Sequence, residues 1–383
     1  MDATLLLVII ALVALVIALV LLGVVLSVLH RQGRMLQELE SAVAASADSG
    51  SPDGPGSRRA PDGDAGAEED SSPRKVVVVL NPTHHPDPEA LRERLRSTIA
   101  NYGGGEAVII ETTAEDSGRG QAQQAIDDGA DMVIAAGGDG TVRLVAAALA
   151  GSGVQMGILP MGTGNLLARN LDLPLDDPEA AMMVALTGTQ QRVDIGWLRV
   201  SDSVKDLEVA PRHAFLVIAG IGADAEIIGA TTTQMKRRIG WIAYVLAGMK
   251  SVIGHSHEVH IDLPGAVHHE MRARTVLVGN VGKLPGGITL MPGATIDNRK
   301  LEILALNWRG AAGLSQIITQ LVNPRLATRP KLSTMQRYMT TSVSVTTSKA
   351  QPVQMDGDTL GEATHIAAEV DPGALLMRVP RGR

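Results

Sequence analysis

The chain has no cysteine and few aromatic side chains, with one Phe, three Trp and three Tyr among 383 residues. Without thiols there are no disulfides, thiolate zinc sites or cysteine nucleophiles. So few rings leave no stacking platform for single-stranded nucleic acid. An excess of positive charge is also missing: the formal net charge is −7, which argues against a nucleic-acid binder with a basic surface. No segment reads G-x-x-x-x-G-K-[ST], and the glycine spacings do not fit G-x-G-x-x-G. A bound nucleotide would have to be held in another way.

Two glycine-rich turns stand out instead. Gly137-Gly138-Asp139-Gly140-Thr141 follows the apolar run 132–136, and Leu159-Pro160-Met161-Gly162-Thr163-Gly164-Asn165 follows 156–158. Each reads as a strand entering a turn and then a helix. Glycine lets backbone approach a ligand closely, and a helix start offers free N–H groups and partial positive charge. A polyphosphate suits such a place.

The length suits two domains plus appendages. The run from Ala3 to Leu29 carries no charge and as a helix would be roughly 40 Å long, so residues 1–34 are expected to form a transmembrane anchor. A cleavable signal peptide is the rival, but the stretch is too long and no basic region precedes it. Arg31 and Arg34 after the span, against Asp2 before it, predict an inner-membrane, single-pass protein with its catalytic body in the cytoplasm. Residues 35–73 read as a disordered linker, since from about Ser41 to Pro73 almost nothing is large and apolar.

From residue 74 to 192 short apolar strands alternate with helical patterns. Strands are expected at 75–80, 107–111, 132–136 and 154–159, with helices at 88–102, 117–128 and 141–150. That alternation predicts an α/β domain with a parallel sheet, whose ligands sit beyond the carboxyl ends of the strands. Asn81-Pro82-Thr83, Thr112-Thr113 and both glycine turns lie at those ends. From 193 to 383 short strands predominate, with helices only near 237–253 and 311–322. This predicts an antiparallel, β-sandwich-like second domain, with a turn at Gln354-Met355-Asp356-Gly357-Asp358.

These residues resemble the diacylglycerol kinase catalytic-domain family, bacterial lipid kinases related to sphingosine kinases and more remotely to NAD kinases and phosphofructokinases. The likeness runs from about Val76 to the C-terminus. It rests on Gly137-Gly138-Asp139-Gly140-Thr141 and on Leu159 to Arg169, which is similar to L-P-x-G-T-x-N-x-x-A-R. Asn81-Pro82, Val193-Asp194-Ile195-Gly196, 220–225, Pro292 to Asp297 and 355–358 support it. The resemblance implies ATP with its phosphates over Gly137, Gly138, Gly140 and Thr141. Asn81, Pro82, Thr83, Thr112, Thr113, Gly162, Thr163, Gly164 and Asn165 are the further nucleotide-binding candidates. It also implies Asp358 as the base that takes the acceptor's proton, Asp139 as a second catalytic acid, and Asp139 and Asp194 in an indirect network around magnesium.

Three positions depart from the family pattern. Asp358 is one methylene shorter than the Glu that closes the family's D-G-E turn. Asn298 and Arg299 replace the last two residues of a D-D-G turn that holds a structural magnesium. Leu166 stands where many members carry Asp. The implied function is ATP-dependent phosphorylation of a membrane lipid, diacylglycerol to phosphatidic acid. The expected partners are the lipid substrate, the bilayer and a second copy of the chain, with no nucleic acid. A kinase of a soluble substrate and a catalytically degenerate nucleotide- or lipid-binding protein stay open as alternatives. The histidines lack H-x-x-x-H spacing on a helix and read as loop or surface residues.

Overall fold

A computed structural model describes residues 75–85, 87–102, 105, 107–222, 256–284, 288–322 and 332–382. Its first half runs β1 (Val76–Leu80), α1 (Pro88–Tyr102), β2 (Ala107–Glu111), α2 (Arg119–Asp127), β3 (Met132–Gly137), α3 (Asp139–Leu149), β4 (Gln155–Pro160), α4 (Leu166–Asn170) and α5 (Pro178–Thr187). β1 is Val-Val-Val-Val-Leu, buried throughout, as expected of a strand covered on both faces. β2, β1, β3 and β4 lie side by side and parallel. Side chains alternate across the strand, so each face of the sheet has its own core. Val77 and Val79 pack with Ala122, Ala125, Val142, Val145 and Leu149 of α2 and α3. Val76, Val78 and Leu80 pack with Leu91, Leu95, Ile99, Ala181 and Ala185 of α1 and α5.

The second half runs β5 (Thr189–Ser201), α6 (Val204–Leu207), β6 (His213–Phe215), β7 (Ile218–Gly222), β8 (His257–Leu263), β9 (Val267–Ala273), β10 (Thr275–Gly279), β11 (Lys283–Leu284), β12 (Ile288–Thr289), β13 (Leu301–Trp308), α7 (Gly310–Val322), β14 (Ser333–Thr340), β15 (Ser342–Met355) and β16 (Asp358–Val379). These strands pair antiparallel, in the order β14-β13-β10-β7-β15-β16. β16 then joins the first half, pairing parallel to β4 through Leu376 and Met377. β5 lies antiparallel along β16 for almost its whole length. The single Phe of the chain, Phe215, is fully buried. It pairs opposite Gly196, where any larger residue would meet its ring.

The α/β-plus-all-β reading fits this architecture, but its membrane-spanning helix is corrected. Among the described residues no helix is long and apolar enough to cross a membrane. The longest, α1, has 15 residues, short of the roughly 20 that a bilayer demands, and its apolar side packs on the sheet. The inner-membrane, single-pass placement rested on such a helix and is corrected with it. The apolar run 3–29, the linker 35–73 and the helix expected at 237–253 lie outside the described residues. Several elements also differ from expectation: the strands β9 and β14 and the short helix α6 were not anticipated. β5 begins at Thr189 rather than 193, and α5 was not anticipated, because its Ala- and Met-rich sequence has no clear apolar stripe.

Candidate active site at the strand ends

The four predicted segments meet at one edge of the parallel sheet. Thr112 donates its main-chain N–H to Leu80 O, Asn81 to Ala136 O and Met161 to Gly137 O, at 2.9, 2.8 and 2.9 Å. The ends of β2, β1, β3 and β4 are thereby laced in order. Asn81 Oδ1 accepts from the Thr83 N–H at 3.1 Å and from its hydroxyl at 2.7 Å, with Pro82 opening a single 3-10 turn. Asn81 Nδ2 reaches Thr141 Oγ1 at 3.4 Å. Thr113 shares a turn with Asp116, whose carboxylate accepts the N–H groups of Gly118, Arg119 and Gly120 and so caps α2.

The glycine turns interlock. A side chain on Gly137 would lie 2.8 Å from Thr141 Cβ, one on Gly162 would lie 2.7 Å from Gly138 Cα, and one on Gly164 would lie 2.6 Å from Asp139 Oδ2. Gly140 differs, because the space where its Cβ would stand is open. The N–H groups of the first turn of α3 have no intrahelical acceptor.

The second turn is bonded to itself and to Asp139. Asn165, in the left-handed region at φ 47°, accepts from the Gly162 N–H at 3.0 Å and donates to Gly162 O at 2.8 Å. Asp139 accepts the N–H of Asn165 at 2.9 Å and that of Leu166 at 2.6 Å. Of the two helix starts expected to present amides, the one after Gly164 therefore has its first two N–H groups, those of Asn165 and Leu166, bonded to Asp139. Thr163 is the exposed member of that turn.

The acids fall into separate places. Burial pushes the Asp139 carboxyl above its ordinary value, against the opposing pull of the Leu166 and Asn165 N–H donors. Asp194 is 2% exposed and accepts from Arg299 N at 2.6 Å and Gly373 N at 2.7 Å. Burial raises it too. Asn298 closes the neighbouring loop with its amide, donating to Gly293 O at 2.7 Å and accepting from Lys300 N at 3.0 Å. Each oxygen of Asp139 and of Asp194 accepts one main-chain N–H, so both acids serve first to hold loops together. Among the described residues no group of three or more acids and histidines is arranged to hold a metal ion.

Asp358 arrives at α3 from the far end of the sequence. Asp356 and Gly357, at φ 48° and 94°, form a two-residue hairpin between β15 and β16, the combination suited to a tight turn with both φ positive. Asp356 bolts this hairpin down by accepting the N–H groups of Leu216, Val217 and Ile218 at 2.7, 2.9 and 2.9 Å. Burial pushes its carboxyl up to about 6, restrained by those three donors and by Arg143. Arg143 Nη2 meets Asp358 Oδ2 at 2.6 Å. Close by, burial and then Arg143 and Arg119 push the His213 imidazole down. Sequence reasoning missed Arg143 and the anchoring role of Asp356. The signal for Arg143 was a lone charge among apolar residues, one helical turn after Asp139.

Comparison with known proteins identifies the relatives of both halves. A family model described as the diacylglycerol kinase catalytic domain matches residues 75–198. A second, described as the YegS C-terminal NAD kinase beta sandwich-like domain, matches 216–379. The "Probable lipid kinase YegS-like" of Chromohalobacter salexigens is 30% identical over 268 residues, covering 68% of this chain and 80% of that protein. An uncharacterized Synechocystis protein is 27% identical over 67% of this chain, which spans only 57% of that relative's length. The crystal structure of a diacylglycerol kinase from Bacillus anthracis shares the fold, with a TM-score of 0.62 at 23% identity, covering 80% of this chain and 97% of that one.

Proposed function

Because the chain belongs to the diacylglycerol kinase catalytic-domain family, that of the YegS-like lipid kinases, we propose that it transfers the γ-phosphoryl group of ATP to a hydroxyl of a membrane lipid, with diacylglycerol as acceptor and phosphatidic acid as product. The observation that carries this reading is the meeting of Asp358 with α3. A carboxylate on a bolted hairpin is brought, from 215 residues away, to the helix that follows the first glycine turn, where the space over Gly140 is open. The names of the related lipid kinases support a lipid acceptor.

The open space over Gly140 fits a phosphate chain, and the N–H groups of the first turn of α3 suit its charge. ATP, when bound, supplies the phosphoryl group and leaves as ADP. The chain's own residues do the rest. Asp358 accepts the proton of the lipid hydroxyl as the new oxygen–phosphorus bond forms and the bond to the β-phosphate oxygen breaks. It then returns that proton to solvent. The α3 amides hold the transferring group, and Asp139 keeps the two glycine turns in register beneath it. In phosphoryl transfer such positioning accounts for most of the rate.

The test incubates the full chain with radiolabelled ATP and mixed vesicles containing diacylglycerol, monoacylglycerol and sphingosine. Label that extracts into the organic phase and migrates as phosphatidic acid is the expected result. Label in another lipid, in a water-soluble product only, or in nothing overturns the assignment.

A further inference from the structure

The contact between Arg143 and Asp358 is built unequally. The Arg143 side chain is 12% exposed and that of Asp358 61% exposed. The guanidinium is thus seated in the protein while the carboxylate stands on the open side. Arg143 Nε is buried and has no hydrogen-bond partner among the described residues, so the side chain is not held there by a network of its own. Its Nη2 is directed at a single oxygen, Asp358 Oδ2. Among the described residues nothing donates to Oδ1.

The two residues are fixed from opposite directions. Arg143 lies on α3, one turn past the glycine turn, and that helix is locked to the sheet by Val142, Val145 and Leu149. The Asp358 main chain is held by the Asp356 hairpin. Its carboxylate could still rotate about the bonds that join it to that main chain. An ion pair to a buried, planar guanidinium removes that freedom and decides which oxygen faces outward.

We infer that Arg143 is a positioning residue for the phosphoryl-transfer reaction: it grips Oδ2 of Asp358 and so presents Oδ1 to the acceptor hydroxyl. This fixes the orientation of an acid that is one methylene shorter than Glu. The inference rests on the proposed lipid-kinase reading with Asp358 as the proton acceptor. It assigns to Arg143 a task separate from binding the nucleotide.

The test compares the full-length wild type with Arg143→Met, Asp358→Glu and the double variant, measuring kcat and KM for ATP with diacylglycerol vesicles. Methionine keeps the buried stem packed, and thermal melting checks that each variant is folded. Arg143→Met is expected to lower kcat by ten- to a hundredfold with KM for ATP within twofold. Asp358→Glu alone is also expected to lose activity, because the longer acid is displaced by the guanidinium. The double variant is expected to recover at least tenfold over Arg143→Met, since the longer side chain reaches without help. An unchanged kcat in Arg143→Met overturns the inference. So does a loss confined to KM for ATP, which would make Arg143 a phosphate ligand, and so does a double variant no better than Arg143→Met. If the wild type makes no lipid product, the lipid-kinase reading falls and takes this inference with it; an active wild type beside an unaffected Arg143→Met sinks the inference alone.

Discussion

Asp139 Oδ1 accepts the main-chain N–H of Leu166 at 2.6 Å, joining the first residue of α3 to the first residue of α4. The other oxygen takes the N–H of Asn165. Asp139 is therefore the clamp between the two glycine turns, and its charge is directed at protein amides rather than at the open side. Asp139→Asn would turn an amide NH2 toward one of these donors and leave that N–H unpaired. Losing such a bond costs about 1–3 kcal/mol. The variant is expected to show that loss in urea denaturation together with an increased KM for ATP. A variant as stable as the wild type would show that the clamp is not structural.

Glycines of the two turns separate into those that serve the fold and one that faces open space. A methyl group on Gly137 or Gly164 would run into Thr141 or Asp139, whereas one on Gly140 meets nothing within 4 Å. Alanine in a helix is more favourable than glycine by up to roughly 1 kcal/mol. Gly140→Ala is therefore expected to be at least as stable as the wild type yet to bind ATP at least tenfold more weakly by titration calorimetry. Wild-type affinity in that variant would place the phosphates elsewhere.

Asp356 makes stability depend on pH in a definite direction. Its folded value of about 6 lies above the ordinary 3.8, so the folded protein holds that proton more tightly than the unfolded chain does. The contribution of this group is then fullest below about pH 4 and is lost as pH rises through about 6. Asp356→Asn lacks the titration. Unfolding free energy, wild type minus variant, is expected to fall between about pH 4 and 6, with a limiting slope on the order of 1.4 kcal/mol per unit, and to be flat above about pH 7. A difference that rises across that interval contradicts the assignment.

Much of the first half was legible in the sequence. Leu91, Leu95 and Ile99 stand four apart and face the sheet in α1, and the unbroken apolar runs of β1 and β3 are buried on both sides. α5 was harder to read, although Asp177 and Pro178 mark its start: Asp177 accepts from Ala180 N at 3.0 Å, a cap legible in sequence. The apolar run near the start of the chain was read as a membrane span, but no helix among the described residues can cross a membrane.

Periodicity, turn residues and glycine placement depend on neighbours a few positions apart, which is why the strand–helix alternation around β1 to β4, the glycine turns and the family resemblance could be read from the chain alone. The partners of the acids could not. Asp139 with Leu166, Asp194 with Gly373, and Arg143 with Asp358 are 27, 179 and 215 residues apart. Which carboxylate is spent on main-chain N–H groups and which is left facing outward depends on where the folded sheet sets those distant segments down, and no local pattern carries that information.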